Sequence, residues 1–340
     1  MVLPVTMTPR VTIHDVARTA GVSPATVSKV INGRYGVAHA TSERVQAVIE
    51  ELGYESSLVA RSLRSHRTNV IGILVAEFEP FSAEILKGVS TAIDGTGYEL
   101  LAYSGGDSAG SRAGWERRSL SRLSGTLIDG AIVVTPTVVD SGGTTPVVAI
   151  DPHAGPTGMP TVDSDNFSGA LTATEHLLSL GHRRIGFLGG RPDLESSRLR
   201  EQGYRAALAA AGVDVDPALV RGADYRRESA HAPARELLTL PERPTAIFAA
   251  NDLSAIGTMD VAHDLGITVP LDLSVIGFDN VPESALTSPP LTTVAQPIKD
   301  MGGAALRLLV DILGGTSEPG THLRLPTELV VRASTASPRA

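Results

Sequence analysis

The chain has 340 residues, a length typical of two or three domains. Its 42% hydrophobic and 19% charged residues are typical of a globular protein, and the lack of cysteine excludes disulfides, thiolate catalysis and zinc–cysteine sites. We find no signal peptide and no apolar run as long as a membrane span, so we expect a cytoplasmic protein.

The charge is distributed unevenly along the chain. The net charge is −8, but residues 1–67 contain eight Lys and Arg against five Asp and Glu, a net +3, which leaves −11 on the remainder. Because the N-terminal segment is basic and the rest of the chain is acidic, attraction for phosphate is confined to one end. This distribution is expected of a protein that docks on DNA through a single module.

Three short helices are predicted near the start of the chain, after residues 1–10, which carry no pattern and are predicted to be a flexible arm. Apolar residues recur at helical spacing over 13–20 and again over 22–31, and Gly21 separates the two stretches. Residues 41–52 repeat apolar side chains in the same way. A third helix is therefore expected to close a small core.

The residues at the predicted helix ends fit this arrangement. Thr12, with Asp15 three residues later, can form a capping box, and Ser23 followed by Pro24 is a typical helix start. Two short helices joined by a glycine turn are typical of a helix-turn-helix, whose second helix lies in the DNA major groove.

The full run T-I-x-D-V-A-x-x-A-G-V-S-x-x-T-V-S-x-V-I-N, residues 12–32, is far more specific than helix spacing alone. It closely resembles the headpiece of the lactose-repressor (LacI/GalR) family of bacterial transcription regulators. The resemblance implies a helix-turn-helix DNA-binding headpiece over 11–55. It also implies that the protein regulates transcription by binding a specific operator.

The family resemblance places several side chains of this headpiece against DNA. Lys29 is the leading candidate to read a guanine, because Pro24 and Ala25 offer no side-chain hydrogen bond and Ala25 can only touch a thymine methyl. Serine and threonine hydroxyls are expected to bind phosphates. The predicted DNA-binding residues are Thr12, Ser23, Pro24, Ala25, Thr26, Ser28, Lys29, Asn32 and Leu63.

Residues 56–68 resemble the hinge helix and linker of the family, with Ser57 in the usual cap position and Leu63 in place of the leucine that pries apart a base step. So short and polar a helix is marginal alone, and we expect it to order only with DNA and a second subunit. Glu55-Ser56-Ser57 departs from the common Pro-Asn pair. A plain interdomain linker is the alternative.

From residue 69 onward, predicted strands and helices alternate. This pattern is typical of parallel sheets with helices on both faces. The predicted strands are 69–75, 98–103, 130–134, 147–150, 184–188, 246–250 and 274–278. The predicted helices are 82–94, 112–123, 168–180, 197–211, 228–238 and 254–265.

The predicted fold is an all-α headpiece with a hinge helix, joined to a two-lobed α/β effector domain built from two Rossmann-like subdomains. The segments HLLSLGHRRIGFLGG, FAANDLSAIG, LSVIGFDN, SPPLTTVAQP and PTELVVRAS look like the family's effector domain, which is similar to periplasmic binding proteins. We predict an effector-binding and dimerisation domain over 69–335, with crossings between lobes near 165 and 285–297, and a tail over 336–340.

Ligands in such folds bind at the carboxyl ends of strands, here in the cleft between the lobes. The resemblance implies contacts from a ligand arginine, an asparagine, a carboxylate and a glutamine, with Tyr225 in place of a stacking tryptophan. Carboxylates, amides and arginine suit vicinal hydroxyls, so we expect a mono- or disaccharide. The predicted effector-binding residues are Phe81, Asp151, Asp165, Arg200, Tyr225, Asn251, Asp279 and Gln296.

Two other classes of protein share parts of this pattern. Residues 106–110 match the G-x-S-x-G elbow of an α/β hydrolase with Ser108 as nucleophile, but neither His176 nor His182 is singled out as a base. A periplasmic sugar-binding protein would share the two lobes, and the helix-turn-helix and missing export signal argue against it. We therefore expect a regulator without catalytic activity, metal or cofactor.

The expected partners are double-stranded operator DNA, a small-molecule effector and a second copy of the chain, with no membrane. A homodimer is expected because no leucine heptad follows the last domain strand. Neutral hydroxyl-binding chemistry favours a sugar inducer that releases the operator. A purine-like corepressor that tightens operator binding is the alternative.

Overall fold

The computed structural model describes residues 11–31, 35–54, 67–105, 114–137, 145–156, 158–318 and 320–339. The chain divides into two compact units after Thr68. The predicted arm, most of the predicted hinge including Leu63, and the residues Asn32 and Ser108 lie outside the described residues.

The described part of the first unit contains three helices, α1 (Ile13–Ala20), α2 (Pro24–Ile31) and α3 (His39–Leu52). Their facing sides bury a small core that includes Val16, Val27 and Val45. Because so few apolar side chains are available, the helix ends contribute substantially to stability.

The predicted caps of the first two helices are present. The Asp15 carboxylate accepts hydrogen bonds from Thr12 N at 3.0 Å and from Thr12 Oγ1 at 2.6 Å. Ser23 Oγ accepts a hydrogen bond from Thr26 N at 3.1 Å. Gly21 adopts φ 65°, the left-handed conformation that the turn between α1 and α2 requires.

The first lobe of the second unit is built on a six-stranded parallel sheet. Its strands are β1 (Val70–Val75), β2 (Glu99–Ser104), β3 (Gly130–Val134), β4 (Val147–Ile150), β5 (Thr161–Ser164) and β11 (His322–Leu325), and its helices are α4 (Pro80–Ala92), α5 (Trp115–Leu123) and α10 (Ile298–Gly314). The strand order is β11-β5-β4-β3-β1-β2. The central strands β1, β3 and β4 are buried along their whole length, as strands covered by helices should be.

The second lobe has a second six-stranded sheet, in which β12 pairs antiparallel with β10 and the other pairs are parallel. Its strands are β6 (Ile185–Gly189), β7 (Val220–Gly222), β8 (Ala246–Ala249), β9 (Ser274–Asp279), β10 (Thr292–Ala295) and β12 (Glu328–Val330), and its helices are α6 (Asn166–Ser179), α7 (Glu195–Ala210), α8 (Arg227–Leu238) and α9 (Asp252–Asp264). The strand order is β12-β10-β9-β8-β6-β7. The two-lobed α/β architecture predicted from the sequence is therefore confirmed.

Within the described residues, the chain passes between the lobes three times. It leaves the first lobe at Asp165, between β5 and α6, and returns after Gln296, between β10 and α10. A third passage joins β11 to β12 through residues 326–327, a crossing that the sequence did not predict. These connections lie next to one another, because Ser164 Oγ donates to Gln296 Oε1 and Thr327 Oγ1 donates to Asp165 O.

The sequence analysis also missed helix α10, because Gly302 and Gly303 lie inside it and glycine disfavours helix. The structure explains why glycine is needed. A Cβ on Gly302 would lie 2.4 Å from Ile85 O, and one on Gly88 of α4 would lie 2.0 Å from Lys299 O. The two helices therefore pack at a distance that only glycine permits.

The hydrophobic core of each lobe lies between its sheet and the flanking helices. Ile71, Ile132 and Leu306 are fully buried in the first lobe, and Phe187 and Phe248 in the second. Among the helices described here, none combines the length and the apolar character that crossing a bilayer requires.

Candidate functional site

A cleft opens between the two lobes at the carboxyl ends of their parallel strands. It encloses about 1050 Å³ of space free of protein atoms, part of which is open to solvent. Small-molecule sites commonly lie between domains and combine apolar with polar side chains, as this cleft does. Seven of the eight predicted effector residues line it: Phe81, Asp151, Arg200, Tyr225, Asn251, Asp279 and Gln296.

Arg200, on helix α7, is only 3% exposed and is fixed by several partners. Its Nε donates a hydrogen bond to Asn166 Oδ1 at 2.8 Å, and its Nη1 donates to Ala250 O. The guanidinium carbon lies 3.8 Å from the ring centroid of Phe278, a cation–π contact. Arg200 therefore presents a positive charge to the cleft in a fixed orientation.

Asp279, the last residue of β9, lies beside this arginine. Its Oδ1 accepts a hydrogen bond from Gln296 Nε2 at 2.6 Å and lies 3.4 Å from Arg200 Nη1. Burial raises the pKa of Asp279 to about 6, although Arg200 and Gln296 act in the opposite direction. The carboxylate is thus costly to ionise here, and hydrogen-bond donors from a ligand would stabilise its charged form.

Asp151 follows β4 and faces the cleft from the first lobe. Burial is the main cause that raises its pKa, while Arg200 and Ser196 of the second lobe lower it. Asp151 of the first lobe therefore interacts with charged and polar side chains of the second lobe.

Four residues that line the cleft have left-handed backbone conformations at or after strand ends. The φ angles are 46° at Thr135, 47° at Asp151, 58° at Tyr225 and 114° at Asp279. Such conformations are unfavourable for residues other than glycine, and they concentrate at functional sites. The strain here places side chains of both lobes at the cleft.

Tyr225 packs its ring over Gly190, where a Cβ would lie only 2.1 Å from Tyr225 Cζ. Its hydroxyl is buried and makes no hydrogen bond of normal geometry to the described residues, and burial raises the pKa of Tyr225. Asn251 holds the Tyr225 main chain, because Asn251 Nδ2 donates to Tyr225 O at 2.9 Å. Asn251 Oδ1 also caps helix α9 by accepting from Ser254 N at 3.0 Å.

Asp165 is placed differently from its prediction. It is not among the residues that line the cleft. Its Oδ1 instead accepts a hydrogen bond from Ser168 N at 3.1 Å and caps helix α6. The prediction rested on its position just after a strand, where helix caps are also common.

The cleft also contains residues that the sequence analysis missed, among them Glu77, Trp115, His153, Arg191, Asp224 and Arg226. Several of them could have been found, because Glu77 follows β1, His153 follows β4, and Asp224 and Arg226 flank Tyr225 after β7. Burial and the nearby Arg191 lower the pKa of His153, whereas Asp193 acts in the opposite direction. These residues add charges of both signs around the opening of the cleft.

The helix-turn-helix presents the predicted DNA-binding side chains on the first turns of α2. Ser23, Pro24, Ala25 and Lys29 are exposed, and Thr26 and Ser28 are partly exposed. The Ser23 and Thr26 hydroxyls lie 3.0 Å apart, so their orientations are coupled. Thr12 is also exposed, with its hydroxyl bound to Asp15.

Residues 12–57 match the family model described as bacterial regulatory proteins of the lacI family, and residues 174–335 match a periplasmic binding protein-like domain. The transcriptional regulator CelR of Thermobifida fusca is 38% identical over 96% of this chain and 98% of its own length. The transcriptional repressor PurR of Photobacterium profundum is 34% identical over 95% of this chain and 98% of its own.

Solved structures are similar over the same length. A complex of the regulator CelR with cellobiose has a TM-score of 0.70 and 35% identity, and covers 96% of this chain and all (100%) of the solved chain. The Lac repressor dimer bound to operator and the anti-inducer ONPF has a TM-score of 0.84 and 27% identity. This match covers 96% of this chain and 99% of the solved chain. This chain is therefore a DNA-binding transcriptional regulator that belongs to the LacI family.

Proposed function

We propose that this regulator represses carbohydrate-utilisation genes and leaves its palindromic operator when a small sugar binds in the cleft between the lobes. The observation that carries the proposal is the arrangement of Asp279, Gln296 and Arg200 beside Tyr225. These groups offer acceptors and donors to hydroxyl groups, next to an aromatic ring that can cover one face of a sugar.

The charges of the cleft favour a neutral ligand. Arg200 is balanced by Asp279 at 3.4 Å, and Asp151 adds a second carboxyl group close by. An anionic ligand such as a sugar phosphate would meet these carboxylates in a region of low dielectric, where repulsion is strong. Vicinal hydroxyls can instead donate to a carboxylate and accept from the guanidinium of the same site.

A disaccharide is the first class of sugar to test. The similar regulator CelR is known in complex with cellobiose. We therefore choose cellobiose as the first probe and include monosaccharides in the same panel.

On the DNA side, we propose that two copies of the chain bind the two halves of the operator through their α2 helices. Lys29 reads a base, and the hydroxyls of Ser23, Thr26 and Ser28 bind phosphates. Asn32 and the hinge residue Leu63 belong to the same proposal, although both lie outside the described residues. Residues 1–67, with a net charge of +3, attract too few phosphates for tight binding alone, which favours a dimer.

The effector acts through the relative position of the lobes. A sugar that contacts Asp151 in one lobe and Asp279 in the other binds one lobe arrangement better than another. Only this difference in affinity shifts the equilibrium between the arrangements. We infer that the arrangement preferred with sugar separates the two hinges of the dimer and weakens operator binding.

We also infer that the protein works in the cytoplasm, where a transcriptional regulator meets its operator DNA.

We infer further that the protein has no catalytic activity. The histidines of the hydrolase alternative are held by structural partners in the second lobe. His182 contacts Thr245 Oγ1 at 2.8 Å and Ser274 Oγ at 3.0 Å, and His176 contacts Thr335 Oγ1 at 3.0 Å. Neither histidine lines the cleft.

The proposal is tested by thermal unfolding of the full chain with cellobiose, glucose, ribose and hypoxanthine. A ligand of the folded state at 100 times its Kd stabilises the fold by about 2.7 kcal/mol. We expect cellobiose to raise the melting temperature and to weaken operator binding. A rise with hypoxanthine alone, together with tighter operator binding, would instead establish the corepressor alternative.

A further inference from the structure

An ion pair joins the two lobes at the cleft. Arg226 Nη2 of the second lobe donates a hydrogen bond to Glu77 Oε2 of the first lobe at 2.6 Å. Glu77 lies just after β1, and Arg226 is the N-cap residue of α8. Both residues line the cleft, and both side chains are about half exposed, 52% for Glu77 and 42% for Arg226.

The neighbouring arginine makes a different kind of contact. Arg227 Nε and Nη2 donate to the two carboxylate oxygens of Asp260 at 2.6 and 2.8 Å. Asp260 lies on α9, so this pair stays within the second lobe. Two consecutive arginines of similar exposure therefore differ in one respect, because only the Arg226 pair connects the lobes.

Other groups near the cleft reinforce the position of Arg226. The pKa of Arg226 is raised first by its hydrogen bond to Glu77, and Asp224 and Glu79 add to the effect. A second connection between the lobes is made by the main chain, where Glu195 N donates to His153 O at 2.9 Å. The Glu77–Arg226 pair and the His153–Glu195 hydrogen bond are thus among the contacts that must break when the lobes separate.

We propose that Glu77 and Arg226 form a latch that opens whenever the effector enters or leaves the cleft, so that the pair sets the rate of effector exchange. The inference rests on the proposed function of the cleft as an effector site. The chain crossings at Asp165 and Gln296 allow the lobes to pivot, and a contact between side chains away from the crossings resists that movement. An exposed ion pair changes such an equilibrium by no more than about fivefold.

A latch and a direct ligand contact predict different kinetics. The latch closes the cleft with or without effector, so its loss speeds association and dissociation together. We expect Arg226→Gln to raise both rate constants of cellobiose binding by about two- to fivefold and to leave Kd within about twofold. A rise in the dissociation rate alone would show that Arg226 contacts the ligand, and two unchanged rate constants would also overturn the latch.

Three comparisons make the stopped-flow experiment specific. Arg227→Gln removes the same charge from the next residue, and we expect wild-type rates. Glu77→Arg should speed exchange, and the charge-reversed double variant with Glu77→Arg and Arg226→Glu should restore slow exchange. In wild type, raising the salt concentration should speed exchange because it screens an exposed pair. If the double variant stays fast, the pair is not the latch.

A readout without effector separates this proposal from the proposed function. The chain has no cysteine, so Ser121→Cys on α5 and Ala209→Cys on α7, both exposed, can carry spin labels, one on each lobe. We expect Arg226→Gln, but not Arg227→Gln, to increase the population with longer distances between labels. If cellobiose and the other sugars do not bind, the proposed function fails and the distances still test the latch. Identical distances in all three proteins would refute it.

Discussion

Asp279 Oδ1 accepts a hydrogen bond of 2.6 Å from Gln296 Nε2 at the point where the chain leaves the second lobe. Gln296 Oε1 in turn accepts a hydrogen bond from Ser164 Oγ, at the end of β5 in the first lobe. A carboxylate in the cleft is therefore connected through one glutamine to a strand of the other lobe. Contact between a sugar and Asp279 can bias the relative position of the lobes through this connection.

We expect Asp279→Ala to weaken cellobiose binding by about 10- to 100-fold, because hydrogen bonds to a charged group contribute about 1.5–3 kcal/mol each. Calorimetric titration measures this affinity directly. Asp165→Ala is the matched control, since Asp165 caps α6 and does not line the cleft. The control should lose about 1 kcal/mol of stability and keep its affinity. Equal losses of affinity in the two variants would contradict the assignment of Asp279.

Asp279 lines the cleft and Asp165 does not, although the sequence predicted both as effector-binding residues. This difference shows which features can be predicted from the sequence. The alternation of strands and helices and the capping residues predicted both lobes, because these signals are local. Helix α10 was missed because its glycines disfavour helix, and only the close approach of α4, where a Cβ on Gly302 would lie 2.4 Å from Ile85 O, explains them. The third crossing was also missed. Whether an aspartate after a strand caps a helix or faces a ligand depends on the neighbouring lobe, which local sequence does not encode.

Effector affinity should depend on pH. The pKa of Asp279 is raised from 3.8 to about 6, so this group is protonated in the folded protein at pH 5 and ionised at pH 7. Sugar hydroxyls bind an ionised carboxylate more strongly, so affinity should rise with pH through about 6. The pKa of Asp279 is higher in the folded than in the unfolded protein. The contribution of this group to the free energy of unfolding is therefore largest below about pH 4 and falls as the pH rises from about 4 to 6.

Calorimetric titrations of cellobiose between pH 5 and 8 measure this dependence. Asp279→Asn removes the titrating group but retains a side chain of similar size. We expect the transition near pH 6 to disappear in this variant. A transition of the same midpoint in wild type and variant would assign it to another group, such as Asp151.

The glycine beneath Tyr225 should matter for effector binding. A Cβ on Gly190 would lie 2.1–2.5 Å from three atoms of the Tyr225 ring, so Gly190→Ala must displace the ring. Overpacking of this kind typically costs about 1–3 kcal/mol, and we expect cellobiose binding to weaken by about 5- to 150-fold. Gly222→Ala is the control, because nothing lies within 4 Å of its Cβ position. Wild-type affinity in Gly190→Ala would mean that the ring position is irrelevant.

Lys29 should discriminate between bases. Lys29→Ala should cost about 1–3 kcal/mol on the preferred operator and remove the preference at one base pair. Arg44→Ala, which removes an exposed charge from α3, should weaken binding to all operator variants slightly and equally. Anisotropy titrations on a set of operator variants separate these patterns. If Lys29→Ala weakened binding to all variants equally, Lys29 would be a phosphate contact.

The most direct test of the account is to titrate cellobiose into the complex of the wild-type protein with labelled operator and follow fluorescence anisotropy. We predict that the operator dissociates with a half-maximal cellobiose concentration that rises with operator affinity, as reciprocal coupling between the two sites requires. In Asp279→Ala, the complex should persist at concentrations that release the wild type. A wild-type complex that stays intact when calorimetry shows the cleft to be saturated with cellobiose would contradict the account.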